Sequence, residues 1–221
     1  MVFAVNKSFS QTSHSTCFGS SSRGSLSKGQ QLPQQGAQFV VYSKLGWWLG
    51  RTYVHSVVAD IILQTYQKLS EQLPHAIFMY AETGWSEGGP FAPHKTHQNG
   101  LSVDFMVPVV DELGVSTLLP VGMKNKFGYG IDFNSEGRNG TFQIDFESLA
   151  KHLLVLNQVA ESQGVVIKSV IFDPRLQPLL FQTSKGPDLR EQLSFNEKQA
   201  WVRHDEHYHV DFSVSCLPLK K

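Results

Sequence analysis

The sequence lacks an excess of either charge. Its 221 residues include 19 Lys and Arg against 19 Asp and Glu, so the formal net charge is zero. Because nucleic-acid-binding proteins normally carry a strongly basic surface, this balance indicates no nucleic-acid partner. The sequence also has no apolar run approaching the roughly 18 residues that cross a membrane, and it predicts no transmembrane segment.

Cysteine is scarce, and no export signal is recognisable. The start of the chain, residues 1–7, has neither the basic region nor the long apolar region of a secretory signal. The protein is therefore either cytosolic or numbered from a point after a removed signal. The two cysteines, Cys17 and Cys216, are too few for a thiolate zinc cluster. They form either one disulfide, which implies an oxidising compartment, or two unpaired thiols.

Histidine, by contrast, is concentrated in two short clusters. Five of the nine histidines lie in His94-Lys-Thr-His97-Gln-Asn-Gly-Leu-Ser-Val-Asp104 and His204-Asp-Glu-His207-Tyr-His209. Imidazole and carboxylate are the groups that bind a catalytic zinc ion, which usually takes three protein ligands and a water molecule. The clusters therefore predict a metal site with hydrolytic chemistry. The remaining histidines are expected at surface or helix positions: His14, His55, His75 and His152.

The length fits one domain, and composition divides the chain into a lead-in and a folded part. Residues 1–38 are rich in Ser, Gly and Gln and predict an irregular lead-in, followed by the domain at 39–221. Apolar spacing predicts helices at about 53–72 and 146–163, the second capped by Asp145, and Asp173-Pro174 is typical of the start of a short helix. Short apolar runs predict strands at about 76–82, 101–107, 165–172 and 207–214. Residues 108–141 are expected to be an insertion or long loops.

The two strands beside the histidine clusters alternate in polarity. Asp104 lies on the polar face of one strand, and His207 and His209 lie on the polar face of the other. If the two strands are antiparallel neighbours, these side chains converge, and His97 reaches them from the preceding loop. This predicts an α+β fold, a single domain with a central antiparallel sheet, helices on one face and the metal cleft on the other. Cys216 shares the parity of the apolar residues, which favours packing or a disulfide over metal ligation.

Several rival chemistries lack their motifs. The sequence has no His-Glu-x-x-His helix, no Gly-x-Ser-x-Gly nucleophile turn and no Gly-x-Gly-x-x-Gly phosphate loop. The iron oxygenases also use two histidines and a carboxylate, but their first histidine and acid are usually two residues apart. His97 and Asp104 are seven apart, so an iron-dependent oxygenase is disfavoured.

The clusters resemble those of the penicillin-insensitive murein endopeptidases. That family belongs to a wider group with the lysostaphin-type peptidases, the D-Ala-D-Ala carboxypeptidases and the hedgehog domain. The resemblance is nearly full-length and rests on Gly88-Gly89-Pro90-Phe91, on His-x-x-His-Gln-x-Gly-Leu-x-Val-Asp at 94–104 and on His-x-x-His-x-His-Val at 204–210. One departure is Asp211, where the family often has a basic residue.

This resemblance implies a zinc peptidase that cuts peptidoglycan cross-links. It implies that His97, Asp104 and His209 bind Zn²⁺ and that His207 is the general base, with His94 and His204 assisting. Glu82 and Asp205 are candidates for carboxylates that orient an imidazole, and Trp201 is expected to pack beside the second cluster. The implied bond joins D-alanine to meso-diaminopimelate or joins two diaminopimelates, in the periplasm. The alternative is a catalytically inactive zinc-containing module that binds peptidoglycan. The oligomeric state is not indicated.

Overall fold

The computed structural model describes residues 14–200 and 202–219. Trp201 and residues 1–13 of the expected lead-in lie outside the described residues. A 3₁₀ helix spans Met123–Gly128, and the α-helices of the described part are α1 (Lys44–Trp48), α2 (Ser56–Gln72), α3 (Phe146–Ser162), α4 (Gln177–Phe181) and α5 (Gly186–Gln192).

Strands of two to seven residues make up the β-structure. In chain order they are β1 (Thr16–Ser20), β2 (Arg23–Ser27), β3 (Gln30–Gln31), β4 (Gln35–Gly36), β5 (Phe39–Val41), β6 (Tyr53–Val54), β7 (Phe78–Tyr80), β8 (Ser102–Met106), β9 (Val109–Val110), β10 (Ser116–Thr117), β11 (Arg138–Asn139), β12 (Phe142–Ile144), β13 (Val166–Ile171) and β14 (His207–Ser213).

A six-stranded sheet forms the centre of the fold, in the order β13-β14-β8-β7-β5-β4. Its pairs are antiparallel except for β5 and β7, which run parallel. The strands predicted around 76–82, 101–107, 165–172 and 207–214 are confirmed as β7, β8, β13 and β14. The predicted mixed α+β fold is likewise confirmed, with one parallel pair in a sheet that was expected to be antiparallel throughout.

The two long helices cover the apolar face of this sheet. His152 of α3 packs against Phe105 of β8 and Tyr208 of β14, and Tyr66 of α2 packs against Phe78 of β7. Asp145 caps α3 as predicted, because its carboxylate accepts a hydrogen bond from the backbone N–H of Ser148 at 3.0 Å. Burial of this face leaves the opposite face of β8 and β14 available for polar side chains.

The prediction of irregular structure before residue 39 is wrong for residues 16–27. Strands β1 and β2 pair as an antiparallel hairpin, and Cys17 forms a disulfide with Cys216 near the other end of the chain. Leu217 adds backbone hydrogen bonds to the same hairpin. The disulfide partner of Cys17 thus lies nearly 200 residues away in the sequence, and local composition does not reveal the contacts of such a distant segment.

Two further expectations change in the structure. Asp173 and Pro174 begin a turn rather than a helix, and α4 starts at Gln177. Residues 108–141, expected to be an insertion or long loops, contribute β9, β10 and β11 to a four-stranded sheet completed by β12. Among the described residues, no helix is long and apolar enough to cross a membrane.

Candidate metal centre

Strand register brings the two histidine clusters together. In the antiparallel pair of β8 and β14, His209 lies opposite Asp104 and His207 lies opposite Met106. Since residues two apart on a strand share a face, Asp104, His207 and His209 all project from the polar side of the sheet. Nδ1 of His209 lies 2.8 Å from Oδ1 of Asp104.

His97 reaches the same point from the loop between β7 and β8. Its backbone is in the left-handed region, with φ of 69°, which non-glycine residues adopt rarely and only where the surrounding structure holds them. Gly84 allows the loop to pass close by, because a Cβ there would lie 2.8 Å from the carbonyl oxygen of His97. Nε2 of His97 lies 3.3 Å from Oδ1 of Asp104. One carboxylate oxygen is therefore shared by two imidazoles.

The donor atoms of this group fit a divalent metal ion. Nδ1 of His97 donates a hydrogen bond to the carbonyl oxygen of Thr83 at 3.2 Å, so Nε2 carries the lone pair. That Nε2 atom is buried, has no hydrogen-bond partner and faces a carboxylate oxygen, an arrangement that is costly unless a cation lies between them. Zinc bonds of about 2.0–2.1 Å in a tetrahedron separate neighbouring donors by roughly 3.3 Å.

The electrostatics of the group also favour a positive charge. Burial alone would raise the pKa of Asp104, but the neighbouring imidazoles of His97 and His209 hold that pKa well below its usual range. His209 lies between two carboxylates, and although burial lowers an imidazole pKa, its hydrogen bonds to Asp104 and Asp211 raise the pKa of His209 to about 10. The potential at this point is therefore negative.

His94 lies beside the other oxygen of Asp104. Its Nδ1 is 3.6 Å from Oδ2 of Asp104, and donor atoms of His94, His97 and Asp104 all lie within 4.8 Å of one another. These three residues could hold a metal as well, so the geometry admits either His94 or His209 as the third ligand. Nε2 of His94 lies 2.5 Å from Oε2 of Glu82, so Nδ1 is the nitrogen that faces Asp104.

Glu82 anchors His94 from a network of its own. Its carboxylate accepts hydrogen bonds from Arg51 and, at 2.8 Å, from the hydroxyl of Tyr42. Burial raises the pKa of this carboxyl group, but the bonds from His94 and Arg51 outweigh burial and lower it to about 2. Glu82 thus contacts an imidazole as the sequence suggested. Phe91 packs against the rings of His94 and His97 and is buried beneath them.

His207 is held by a different carboxylate. Nδ1 of His207 lies 2.9 Å from Oε1 of Glu206, and Nε2 lies 4.0 Å from Oδ2 of Asp104. Burial lowers the pKa of His207 to about 4 and that of His204 to about 3. The two rings lie 4.5 Å apart, and Nδ1 of His204 donates to the carbonyl oxygen of Val202 at 2.9 Å.

A cleft of about 590 Å³ opens beside these histidines. Glu82, His94, Tyr129, Glu206 and His207 contribute its polar lining, and the rest of the wall comes from Tyr42, Pro93, Met123, Lys126, Phe127, Val202 and Arg203. The cleft is large enough for a peptide segment, and it gives such a segment access to the polar face of β8 and β14.

A family model of the penicillin-insensitive murein endopeptidases matches residues 17–218. The chain belongs to this family. Membership indicates murein endopeptidase activity and peptidoglycan as the substrate, and the matched range includes both histidine clusters and the N-terminal hairpin. A comparison with curated proteins finds no match.

Three residues make contacts in this site that the sequence did not predict. Tyr129 donates its hydroxyl to Oδ2 of Asp104 at 3.1 Å, and no motif marks it. Glu206 lies inside the second cluster but was not singled out, whereas Asp205, which was, accepts from the backbone of Phe133 and not from an imidazole. Asp211 lies 3.1 Å from His209, and its strand parity already placed it on that face.

Proposed function

We propose that this protein is a zinc endopeptidase that hydrolyses the peptide cross-links of bacterial peptidoglycan between D-alanine and meso-diaminopimelate. The observation that carries the proposal is the convergence of Nε2 of His97 and Nδ1 of His209 on Oδ1 of Asp104, with His207 beside them. Membership of the murein endopeptidase family supports the substrate.

In this proposal His97, Asp104 and His209 hold Zn²⁺. Two neutral imidazoles and one carboxylate are a donor set that catalytic zinc sites commonly use. The chemistry that bound zinc supplies is Lewis acidity, which polarises a peptide carbonyl and acidifies a water molecule. His94 is disfavoured as the third ligand because its Nδ1 atom lies 3.6 Å from Oδ2 of Asp104, whereas His97 and His209 both face Oδ1.

His207 acts as the general base. Because the carboxylate of Glu206 accepts a hydrogen bond from Nδ1–H, the lone pair of the ring lies on Nε2, on the side of Asp104 and the cleft. That nitrogen accepts a proton from the attacking water as its oxygen bonds to the peptide carbon. The same proton then passes to the leaving amine as the carbon–nitrogen bond breaks, so that His207 returns to its starting state.

Three neighbouring polar residues assist the reaction because of where their side chains are held. His94 lines the same cleft as His207 and is held by Glu82, so it is placed to stabilise negative charge that develops on the carbonyl oxygen. His204 packs on His207 and keeps that ring in place. Tyr129 fixes the carboxylate of Asp104 through its Oδ2 atom.

We also propose that the protein works in the periplasm. Its substrate class lies outside the cytoplasm, and Cys17 and Cys216 form a disulfide, which persists in oxidising compartments. The proposed location thus follows from the substrate and the disulfide together.

Digestion of purified peptidoglycan sacculi tests the proposed function. The zinc-loaded protein is expected to convert cross-linked muropeptide dimers into monomers, as read by mass spectrometry. Chelator and His207→Ala are expected to abolish the conversion. His75→Ala, which changes an exposed histidine far along the chain from the clusters, is the matched control and is expected to retain it.

Two results would overturn the proposal. One is the absence of monomers with zinc-replete protein, and in that case muropeptide binding without turnover would support the inactive binding module. The other is monomer release that survives both chelator and His207→Ala, which would place the chemistry elsewhere.

A further inference from the structure

Asp211 stands directly behind His209 on the same strand. The two residues are two apart on β14, so their side chains share the polar face, and Oδ1 of Asp211 lies 3.1 Å from Nε2 of His209. The other ring nitrogen, Nδ1, lies 2.8 Å from Oδ1 of Asp104. The imidazole of His209 therefore lies between two carboxylates, one at each ring nitrogen.

Asp211 is itself fixed by the two strands that flank β14. Ser102 of β8 and Ser169 of β13 both lie opposite Asp211 in the sheet register. The hydroxyl of Ser102 donates to Oδ1 at 2.5 Å, and the hydroxyl of Ser169 lies 3.4 Å from Oδ2. The carboxylate is thus held at both oxygens across three strands, and its side chain is only 14% exposed. A solvated surface acid would not be held in this way.

The positions of the two carboxylates indicate which nitrogen of His209 is available to a metal. An ionised carboxylate accepts but does not donate, so each ring nitrogen of the metal-free histidine donates to the carboxylate beside it. Only Nδ1 faces Asp104 and the convergence point with His97, so a metal there would replace the Nδ1 proton, and Asp211 would keep the proton on Nε2. We propose that Asp211 is a positioning residue that fixes the tautomer and orientation of His209 and thereby strengthens zinc binding at this site. The inference rests on the proposed ligand set.

A carboxylate that contacts a histidine ligand without touching the metal has a measurable effect on metal affinity. A histidine ligand that donates its second N–H to a carboxylate is oriented and made more basic, and loss of the partner typically weakens metal binding by about 10- to 100-fold. Because Asp211 touches the ring and not the cleft, its effect should appear in metal affinity before substrate is added.

The test measures zinc dissociation constants of the full chain by competition with a chromophoric chelator. Asp211→Ala is expected to raise the constant by about 10- to 100-fold. Asp211→Asn is expected to raise it less, because the amide oxygen can still accept the Nε2 proton. The matched control is Ser213→Ala, an exposed residue of the same parity on β14, which should stay within about twofold of the unmodified protein. Thermal unfolding with excess chelator establishes that each variant is folded.

Substitution of Co²⁺ for zinc adds a spectroscopic measurement that would not change if the role of Asp211 were merely structural. The visible absorption bands of the Co²⁺-loaded protein are expected to shift in Asp211→Ala and to recover partly in Asp211→Asn. If Asp211→Ala does not fold, Asp211→Asn alone decides, because it is nearly isosteric.

Unchanged zinc affinity and an unchanged cobalt spectrum in the folded variant would overturn the inference. Failure of the unmodified protein to bind zinc would overturn both this inference and the proposed metal site. Weakened zinc binding in the variants of a protein that leaves sacculi uncut would support the inference and contradict only the proposed peptidase activity.

Discussion

Oδ1 of Asp104 and Nδ1 of His209 lie 2.8 Å apart on neighbouring strands, opposite each other in the register of the central sheet. The contact joins residues 105 positions apart in sequence and depends on that register. A one-residue slip between β8 and β14 would move one partner to the apolar face. The metal centre therefore depends on the pairing of β8 and β14, whose apolar face packs against α3.

Replacing His209 and His94 separately distinguishes the two candidate third ligands. We expect His209→Ala to weaken zinc binding by more than the roughly 10- to 100-fold that loss of an outer partner costs. His94→Ala should weaken it by at least about tenfold less, because the ring of His94 lies beside Oδ2 of Asp104 and not beside the Oδ1 atom that His97 and His209 share. Chelator competition measures both constants. A larger loss for His94→Ala would instead assign the set His94, His97 and Asp104.

Glu206 should affect the general base without affecting the metal. Its carboxylate lies 2.9 Å from Nδ1 of His207 and selects the tautomer with a free Nε2. Glu206→Ala, which removes the acceptor, is expected to lower kcat for muropeptide cleavage at least about tenfold while leaving zinc affinity within about twofold. Glu71→Ala, at an exposed position near the end of α2, serves as the control. An unchanged kcat, or loss of zinc along with activity, would contradict this role.

The disulfide should stabilise the fold through the length of the loop that it closes. Cys17 and Cys216 are 199 residues apart, and the loss of a native disulfide typically costs about 2–5 kcal/mol of unfolding free energy. A variant carrying Cys17→Ser and Cys216→Ser is expected to unfold at a correspondingly lower denaturant concentration. A reducing agent should destabilise the unmodified protein similarly and leave the double variant unaffected. Equal stability of both proteins under oxidising conditions would refute the expectation.

His152 should make stability depend on pH from the opposite face of the strands that carry the metal centre. It lies in the core against Tyr208, and burial lowers its pKa to about 3. Between that value and the ordinary value of about 6.5, the unfolded chain binds a proton that the folded chain does not. The stabilising contribution of His152 is therefore complete above about pH 6.5 and is lost as pH falls, with a limiting slope of about 1.4 kcal/mol per pH unit.

Denaturant unfolding of the metal-free protein at several pH values measures this contribution. His152→Gln does not titrate, so its stability difference from the unmodified protein should shrink steadily below about pH 6.5. His75→Gln, at an exposed position, should track the unmodified protein throughout. If the stability difference between His152→Gln and the unmodified protein stays constant with pH, the pKa of His152 is the same in the folded and unfolded states, and the prediction is wrong.

The sequence predicted those parts of the structure that local patterns determine. Alternation along 101–107 and 207–214 was sufficient to place Asp104, His207 and His209 on one face, because side-chain direction in a strand has period two. Asp145 was identifiable as a helix cap because the cap and the apolar spacing that follows it are adjacent in sequence.

The parts that it did not predict depend on distant partners. The hairpin of β1 and β2 is joined to the C-terminal segment by the Cys17–Cys216 disulfide, which the sequence offered as one of two alternatives, but the Ser- and Gly-rich composition of the segment did not predict the hairpin itself. Tyr129 reaches Asp104 from an irregular segment that no periodicity places. The contact between Asp211 and Ser169 required knowledge that β13 lies beside β14.

Cleavage of one defined cross-linked muropeptide tests the central claim most directly. The substrate is a purified dimer joined by a D-alanine to meso-diaminopimelate bond, incubated with the zinc-loaded protein in water labelled with heavy oxygen. We predict release of monomers in which the new D-alanine carboxylate carries one labelled oxygen atom, with no release by His207→Ala. An intact dimer, or labelled oxygen in any product group other than the new D-alanine carboxylate, would contradict the account.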